Sequence, residues 1–249
     1  MNKFTLLLNN LRGKESIMDV NYKGLNFKLD IKSKREIKRA NEIFHEESLL
    51  EKLFDNIHDG DQVYDVGANI GVISTLLAKH KNSVNVKITS FEPEPRNFSQ
   101  LKKNIALNGL EGKVVPHQMA LGKEKGSIGL FIRGYEGEGR RSILASKGST
   151  GTVNVEVETC SAFAEKTGLV PDLIKIDVEG AEGHVLAGME DLIKTHKKPR
   201  SIFLEIHNKG DEDRMPDGGS IDNWLSNLGY ELKWEQKRRS GSNRQYSLA

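Results

Sequence analysis

The chain has 249 residues, enough for one large α/β domain with a full core and short for two. Thirty-seven basic against thirty-five acidic residues leave a net charge of +2, which excludes the strongly basic balance of a nucleic-acid or anionic-membrane binder. A single cysteine, Cys160, excludes an internal disulfide and fits a reducing, cytoplasmic compartment.

The opening MNKFTLLLNNLRGK is apolar only from Phe4 to Leu8, too short for a membrane span and without a small-residue cleavage site. Residues 1–45 read as an N-terminal extension, within which NYKGLNFKLDI (21–31) alternates as a strand pair around Gly24. EESLLEKLFDNI (46–57) has helical spacing at Leu49, Leu50, Leu53, Phe54 and Ile57, and HDGD is a turn. A strand near 62–66, a helix from about 70 to 80, a strand at 84–91 and a helix at 95–109 follow, then VVPHQMAL (114–121) as a strand interrupted by Pro116. This alternation predicts a parallel sheet with right-handed crossovers. The rhythm then breaks: SIGLFIR (127–133) and TVNVEVETC (152–160) predict an inserted hairpin over about 126–160. Ser161 is placed to cap a short helix, followed by a strand at 172–178, a helix over 180–195, a strand at 201–207, a helix near 220–229 and a final strand pair. The whole, 1–249, reads as one domain whose core is 46–249, with the first sixty residues as an appendage.

In an open parallel sheet, ligands bind at the carboxyl ends of the strands where the strand order reverses. The residues to weigh are therefore Asp65, Glu92, Met119, Ala120, Asp177, Glu205 and His207. DVGANIG (65–71) lacks the dinucleotide fingerprint, because Asn69 and Val72 stand where glycines are required, and no G-K-[ST] makes a phosphate loop. The turn instead offers Gly67, Gly71, the Asn69 amide and the Asp65 carboxylate, which suit a zwitterion such as the amino-acid end of S-adenosylmethionine. Glu92 follows Gly67 by 25 residues, near the spacing of a ribose-binding carboxylate. The plainer alternatives are a helix-capping Asp65 and a solvated Glu92.

DVGANIG, FEPEP followed by LKKNIALNG, MALG, and above all DLIKIDVEGAE resemble the FkbM-type methyltransferases, over roughly Leu49 to His207. The resemblance implies a Rossmann-like class I methyltransferase: a mostly parallel seven-stranded sheet with helices on both faces, plus the N-terminal extension and inserted β-hairpin. It implies S-adenosylmethionine as cofactor. Asp65, Gly67, Asn69 and Gly71 would hold its methionine part, Glu92 the ribose, and Met119 with Ala120 the adenine, while Ala68, Pro93 and Asp177 complete the contacts. Where the family has a Leu-Asp pair, this chain has Cys160 and Ser161.

Methyl transfer is an in-line displacement, so the protein aligns acceptor, carbon and sulfur and manages the acceptor's proton. Asp177 and Glu179 are candidate catalytic carboxylates, since paired carboxylates raise one another's pKa; Glu182 more simply favours a helix N-terminus. His207 is a further candidate base. Asp177, Glu205, His207 and Asn208 raise Mg²⁺ as an alternative, although no metal spacing rule is met. Arg133, Arg140 and Arg141 in the inserted segment suggest an anionic acceptor such as a uronic acid or a sugar on a phosphate carrier, with Arg140 and Arg141 as its forks; the plainer alternative is a solvated flexible loop. His184 and His196 read as exposed helix residues, KWEQKRR as a solvated edge, and Trp224 as core. The reading favoured is O-methylation of a hydroxyl on a sugar, glycan or secondary metabolite. The alternatives are N-methylation of protein or RNA, and a binding protein without turnover.

Overall fold

LIKI (173–176) is buried at all four positions, and a strand without a wet side is stable only inside a sheet covered on both faces. The computed structural model supplies that setting. It describes residues 17–31, 36–37, 40, 46–80, 84–133, 141–142, 149–195, 199–207, 214–238 and 241–249, with side chains described except at 131–133, 141–142 and 149–151.

In chain order the named elements are β1 (Ile17–Tyr22), β2 (Leu25–Asp30), α1 (Glu47–Asn56), β3 (Gln62–Val66), α2 (Val72–Lys79), β4 (Lys87–Phe91) and α3 (Pro95–Leu107). These lead to β5 (Val114–His117), β6 (Ala120–Leu121), β7 (Gly126–Arg133), β8 (Arg141–Ser142), β9 (Ser149–Glu158), α4 (Cys160–Thr167) and β10 (Leu173–Ile176). The chain closes with α5 (Glu182–Ala187), α6 (Glu190–Lys194), β11 (Ser201–His207), α7 (Ile221–Asn227), β12 (Tyr230–Arg238) and β13 (Gly241–Leu248).

The main sheet has seven strands in the order β12-β13-β11-β10-β3-β4-β5, with β13 antiparallel to both neighbours and the other pairings parallel. The chain builds outward through β4 and β5, then returns to the far side of β3 as β10, so a crevice opens between the carboxyl ends of β3 and β10. Alternation within the strands feeds two cores. Val63, Leu173 and Phe203 join one with Leu50, Leu76 and Leu101, whereas Tyr64, Ile174 and Leu204 join the other with Phe163, Leu186 and Ile221. Among the described residues no helix is long and apolar enough to cross a membrane.

The inserted segment pairs β7 with β9 antiparallel, as its alternation predicts, and widens into a second sheet of order β6-β9-β7-β8. This corrects the reading of 114–121 as one strand. Pro116 lies inside β5, at the edge of the main sheet, where its missing N–H costs no ladder bond. The break comes instead at 118–119, after which β6 pairs with β9 in the other sheet. Thr159, not Ser161, caps α4: its hydroxyl accepts from the Ala162 N–H at 3.0 Å. The Ser161 hydroxyl donates to the Gly188 carbonyl at 2.9 Å and accepts from the Leu192 N–H at 3.1 Å. That carbonyl is thereby drawn out of the expected helix over 180–195, which divides into α5 and α6. A Cβ on Gly188 would stand 2.0 Å from the Gly122 carbonyl oxygen, so only glycine permits this approach.

Nor is the N-terminal hairpin an appendage. Its apolar face joins the first core through Val20, Phe27 and Leu29, and the free edge of β2 is paired by side chains of α3. Gln100, Asn104 and Asn108, spaced four apart on one helix face, reach that edge. Asn104 accepts from the Asp30 N–H and donates to the Ile70 carbonyl, both at 2.8 Å; Asn108 accepts from the Lys28 N–H at 2.9 Å and donates to its carbonyl at 2.7 Å. Because Asn104 is fully buried, Asn104→Ala leaves two backbone groups unpaired and should cost about 2–4 kcal/mol. Urea unfolding would read this as a lower midpoint at unchanged slope.

Candidate active site

The DVGANIG turn takes its shape from three left-handed residues: Gly67 (φ +81), Asn69 (φ +55) and Gly71 (φ +85). The N–H groups of Gly67 and Ala68 both donate to the Phe91 carbonyl, at 3.0 and 2.9 Å, folding the turn over the end of β4. A Cβ on Gly67 would lie 1.9 Å from the Asp177 carbonyl oxygen, while the Asp177 N–H donates to Val66 at 3.0 Å. Gly67 is thus required by contact between the two neighbouring strand ends. The second strand end carries its own strain, with Glu179 at φ +56 and Gly180 at φ +101. These conformations delay the helix to Glu182.

Beneath the turn lies a buried ion group. The Lys175 ammonium stands 3.4 Å from a carboxylate oxygen of both Asp65 and Asp177. Burial opposes its charge, but Asp177, Asp65, Glu205 and Glu46 outweigh burial and raise its pKa. Asp65 is fully buried and accepts a 2.5 Å hydrogen bond from the Ser74 hydroxyl.

Glu92 closes the other side. Its carboxylate accepts from the Asn69 N–H at 2.8 Å and the Glu94 N–H at 3.0 Å. Burial pushes its pKa up to about 7, against the lowering effect of those two amides. It lines a cavity of about 130 Å³ with Asn97, Pro93, Met119, Ala120 and Leu121, and Ile128 and Leu130 of β7 supply an apolar wall. An apolar slot beside a carboxylate suits a flat base joined to a vicinal diol.

A second cavity, of about 160 Å³, is polar and is lined by Lys175, Asp177, Glu179, Glu205, His207 and Glu46, together with the turn from Gly67 to Ile70. Arg238 reaches in from β12, 2.5 Å from Glu205 and 3.0 Å from Glu46. Burial opposes the Glu205 charge, but His207, Arg238 and Lys175 hold its pKa down at about 2. Burial and the negative charge of Glu205 raise Asp177 well above the ordinary carboxylate range, against the pull of Lys175. His207 stands 3.6 Å from Glu182 and 3.4 Å from Glu205, and these carboxylates raise it to about 11. The two carboxylates favour the imidazolium form, whose ring has no lone pair with which to take a proton. Glu182, fully buried, accepts from the Gly180 N–H at 3.1 Å and so braces the strained turn.

Asp177, Glu205 and His207 offer ligand atoms within 4.8 Å of one another. They suit Mg²⁺ poorly, because Lys175, Arg238 and protonated His207 already supply the compensating positive charge.

Gly67, Asn69, Glu92, Pro93, Met119, Ala120, Asp177 and Glu179 are brought together around the first cavity, and Ala68 and His207 line the second. Asp65 and Gly71 line neither: Asp65 is committed to Lys175 and Ser74, and Gly71 begins α2. Arg140 lies outside the described residues, as do the side chains of Arg133 and Arg141, as well as Asn208 and His196. His184 is exposed and Trp224 half-buried against the second core. The sequence reading passed over Lys175, Asn97, Glu46 and Arg238. A lysine among the apolar residues of LIKI was a legible signal of a buried ion pair; for Glu46 and Arg238, 192 residues apart, there was none.

A methyltransferase FkbM domain model matches residues 65–232. The 31-O-demethyl-FK506 methyltransferase FkbM of Streptomyces tacrolimicus is 30% identical over 185 residues, covering 61% of this chain and 67% of that protein. The hexuronic acid methyltransferase AglP of Haloferax volcanii is 26% identical over 179 residues, covering 71% and 69%. A crystal structure of methyltransferase FkbM from Methylobacillus flagellatus shares the fold, with a TM-score of 0.50 at 17% identity, over 77% of this chain and 44% of that one. The chain thus spans less than half the length of that structure.

Only an ionised Glu92 accepts from both hydroxyls of a ribose. With its pKa raised to about 7 in the free protein, cofactor affinity should climb as pH rises to about 7 and level off above it. Calorimetric titration with S-adenosylhomocysteine between pH 5.5 and 8.5 reads this, at up to roughly tenfold per pH unit on the acid side; a flat profile would remove Glu92 from the contact.

Proposed function

The chain belongs to the FkbM methyltransferase family, a branch of the class I S-adenosylmethionine-dependent fold, and on that premise we propose that it methylates a hydroxyl of a sugar or other small secondary metabolite. The observation that carries this reading is the meeting of two cavities at one wall, with Asp177 lining both. When bound, S-adenosylmethionine supplies an activated methyl group on a sulfonium. The residues suited to hold it are Glu92, Asn97, Pro93, Met119, Ala120, Ile128 and Leu130 for the adenosine, and Gly67, Ala68 and Asn69 for the amino-acid end.

The chain's own contribution is alignment and proton management. Asp177 takes the acceptor's proton: burial and Glu205 raise its proton affinity, while the Lys175 ammonium 3.4 Å away favours its ionised form. His207, as an imidazolium between Glu182 and Glu205, positions Glu205 rather than serving as the base. Glu179 contacts whatever occupies the shared wall. Four carboxylates against Lys175 and His207 in the lining of the second cavity disfavour a phosphate backbone, which favours a small molecule over RNA. The relatives support a small hydroxylated acceptor, one being named for a hexuronic acid and another for 31-O-demethyl-FK506. Buried, free Cys160 accords with a cytoplasmic setting.

Methyl-labelled cofactor incubated with cell fractions should deliver label to carbohydrate or small metabolites; label in protein or RNA would overturn the reading. With the acceptor in hand, Asp177→Asn should lower kcat by about 10²–10⁴-fold, and a chelator should leave turnover undiminished.

A further inference from the structure

Six carboxylates line the two cavities, Glu46, Glu92, Glu94, Asp177, Glu179 and Glu205, against two cations, Lys175 and His207. Most of these charges are committed within the protein. Lys175 serves Asp65 and Asp177, His207 serves Glu182 and Glu205, and Arg238 behind them bridges Glu205 and Glu46. Glu92 and Glu94 accept from backbone amides. Glu179 differs: its exposed carboxylate makes no hydrogen bond or ion pair among the described residues, and its left-handed backbone places it at the cavity wall. Among the described residues, those lining both cavities are Gly67, Asn69, Asp177 and Glu179.

The constitution of the cofactor turns this wall into a charge-reading site. Its sulfur is bonded to the ribose on one side and to the methionine chain on the other. A molecule with its adenosine in the first cavity and its amino-acid end in the second must pass that sulfur through the shared wall. Transfer of the methyl group converts a sulfonium to a neutral thioether, so donor and product differ by one positive charge at that atom and share every other ionised group.

Resting on the cofactor reading above, we propose that Asp177 and Glu179 select the cationic methyl donor over its neutral-sulfur product, so that the site holds S-adenosylmethionine and sheds S-adenosylhomocysteine after each turnover. Attraction between a cation and carboxylates in a partly enclosed cavity exceeds that in bulk water, and it vanishes when the sulfur becomes neutral. Burial, then Glu205 and Glu46, raise the proton affinity of Asp177, and a cation arriving at the shared wall would favour its ionised form as Lys175 does.

Calorimetry on the full chain with both ligands tests this without an acceptor. The donor should bind on the order of tenfold more tightly than the product. The ratio should shrink to about threefold in Glu179→Gln and approach one in the double variant D177N/E179Q. Glu179 is exposed and makes no pair among the described residues, so E179Q should keep the fold, which a melting curve checks. Glu190→Gln removes a surface carboxylate paired with Lys194 outside both cavities and should leave the ratio unchanged. Equal affinities, tighter product binding, or a ratio that E179Q and D177N/E179Q leave untouched would overturn the proposal. Binding of neither ligand would overturn the cofactor reading, and the selectivity with it.

Discussion

One buried ammonium organises the centre of this molecule. Lys175 rises from an otherwise apolar strand, is nearly sealed from water, and stands equally close to Asp65 on β3 and Asp177 beyond the end of β10. An unpaired cation there would cost several kcal/mol, and two carboxylates offset that penalty only while the strands keep their register. The pairing of Lys175 with Asp65 across β10 and β3 is that register. The triad thus holds the strands together at the point where the sheet order reverses, where a ligand crevice opens in any open α/β sheet.

Its two carboxylates have different fates. Asp65 is sealed beneath the turn, where Ser74 also reaches it, and it stabilises the scaffold. Asp177, one strand away, lines both cavities and meets a second set of charges from β11, β12 and the residue preceding α1. The same lysine therefore couples a sealed carboxylate to one that lines the cavities. Around it Gly67 presses against the Asp177 carbonyl, and Glu182 holds the strained amide of Gly180, so the backbone on both sides of the crevice is fixed before any ligand arrives.

The site also shows how a protein tolerates groups that do not favour its own stability. Glu92 is buried deeply enough to resist ionisation, and Asp177 is crowded by Glu205. Such arrangements persist where the surrounding packing over-determines them. Here that packing includes the N-terminal hairpin, tied through Asn104 to the Ile70 carbonyl in the DVGANIG turn. One helix face thereby links the first strands of the chain to the turn that lines both cavities.

The sequence by itself determined the alternating α/β order, the strand-end positions of Glu92 and Asp177, and the exclusion of a pyrophosphate loop by Asn69 and Val72. These are local properties: apolar periodicity and glycine placement express themselves over a few neighbours. Two local readings failed where distant atoms intervened. Ser161 gave its hydroxyl to Gly188 instead of its own helix, and Pro116 sat harmlessly at a sheet edge that only the strand order reveals. Tertiary structure alone decided that Asp65 faces inward, that His207 lies between Glu182 and Glu205, and that Arg238 bridges Glu46 and Glu205. The reason is physical: a pKa or an ion pair depends on burial and on charges a few ångströms away in space, and residues 192 positions apart carry no mutual mark in the chain.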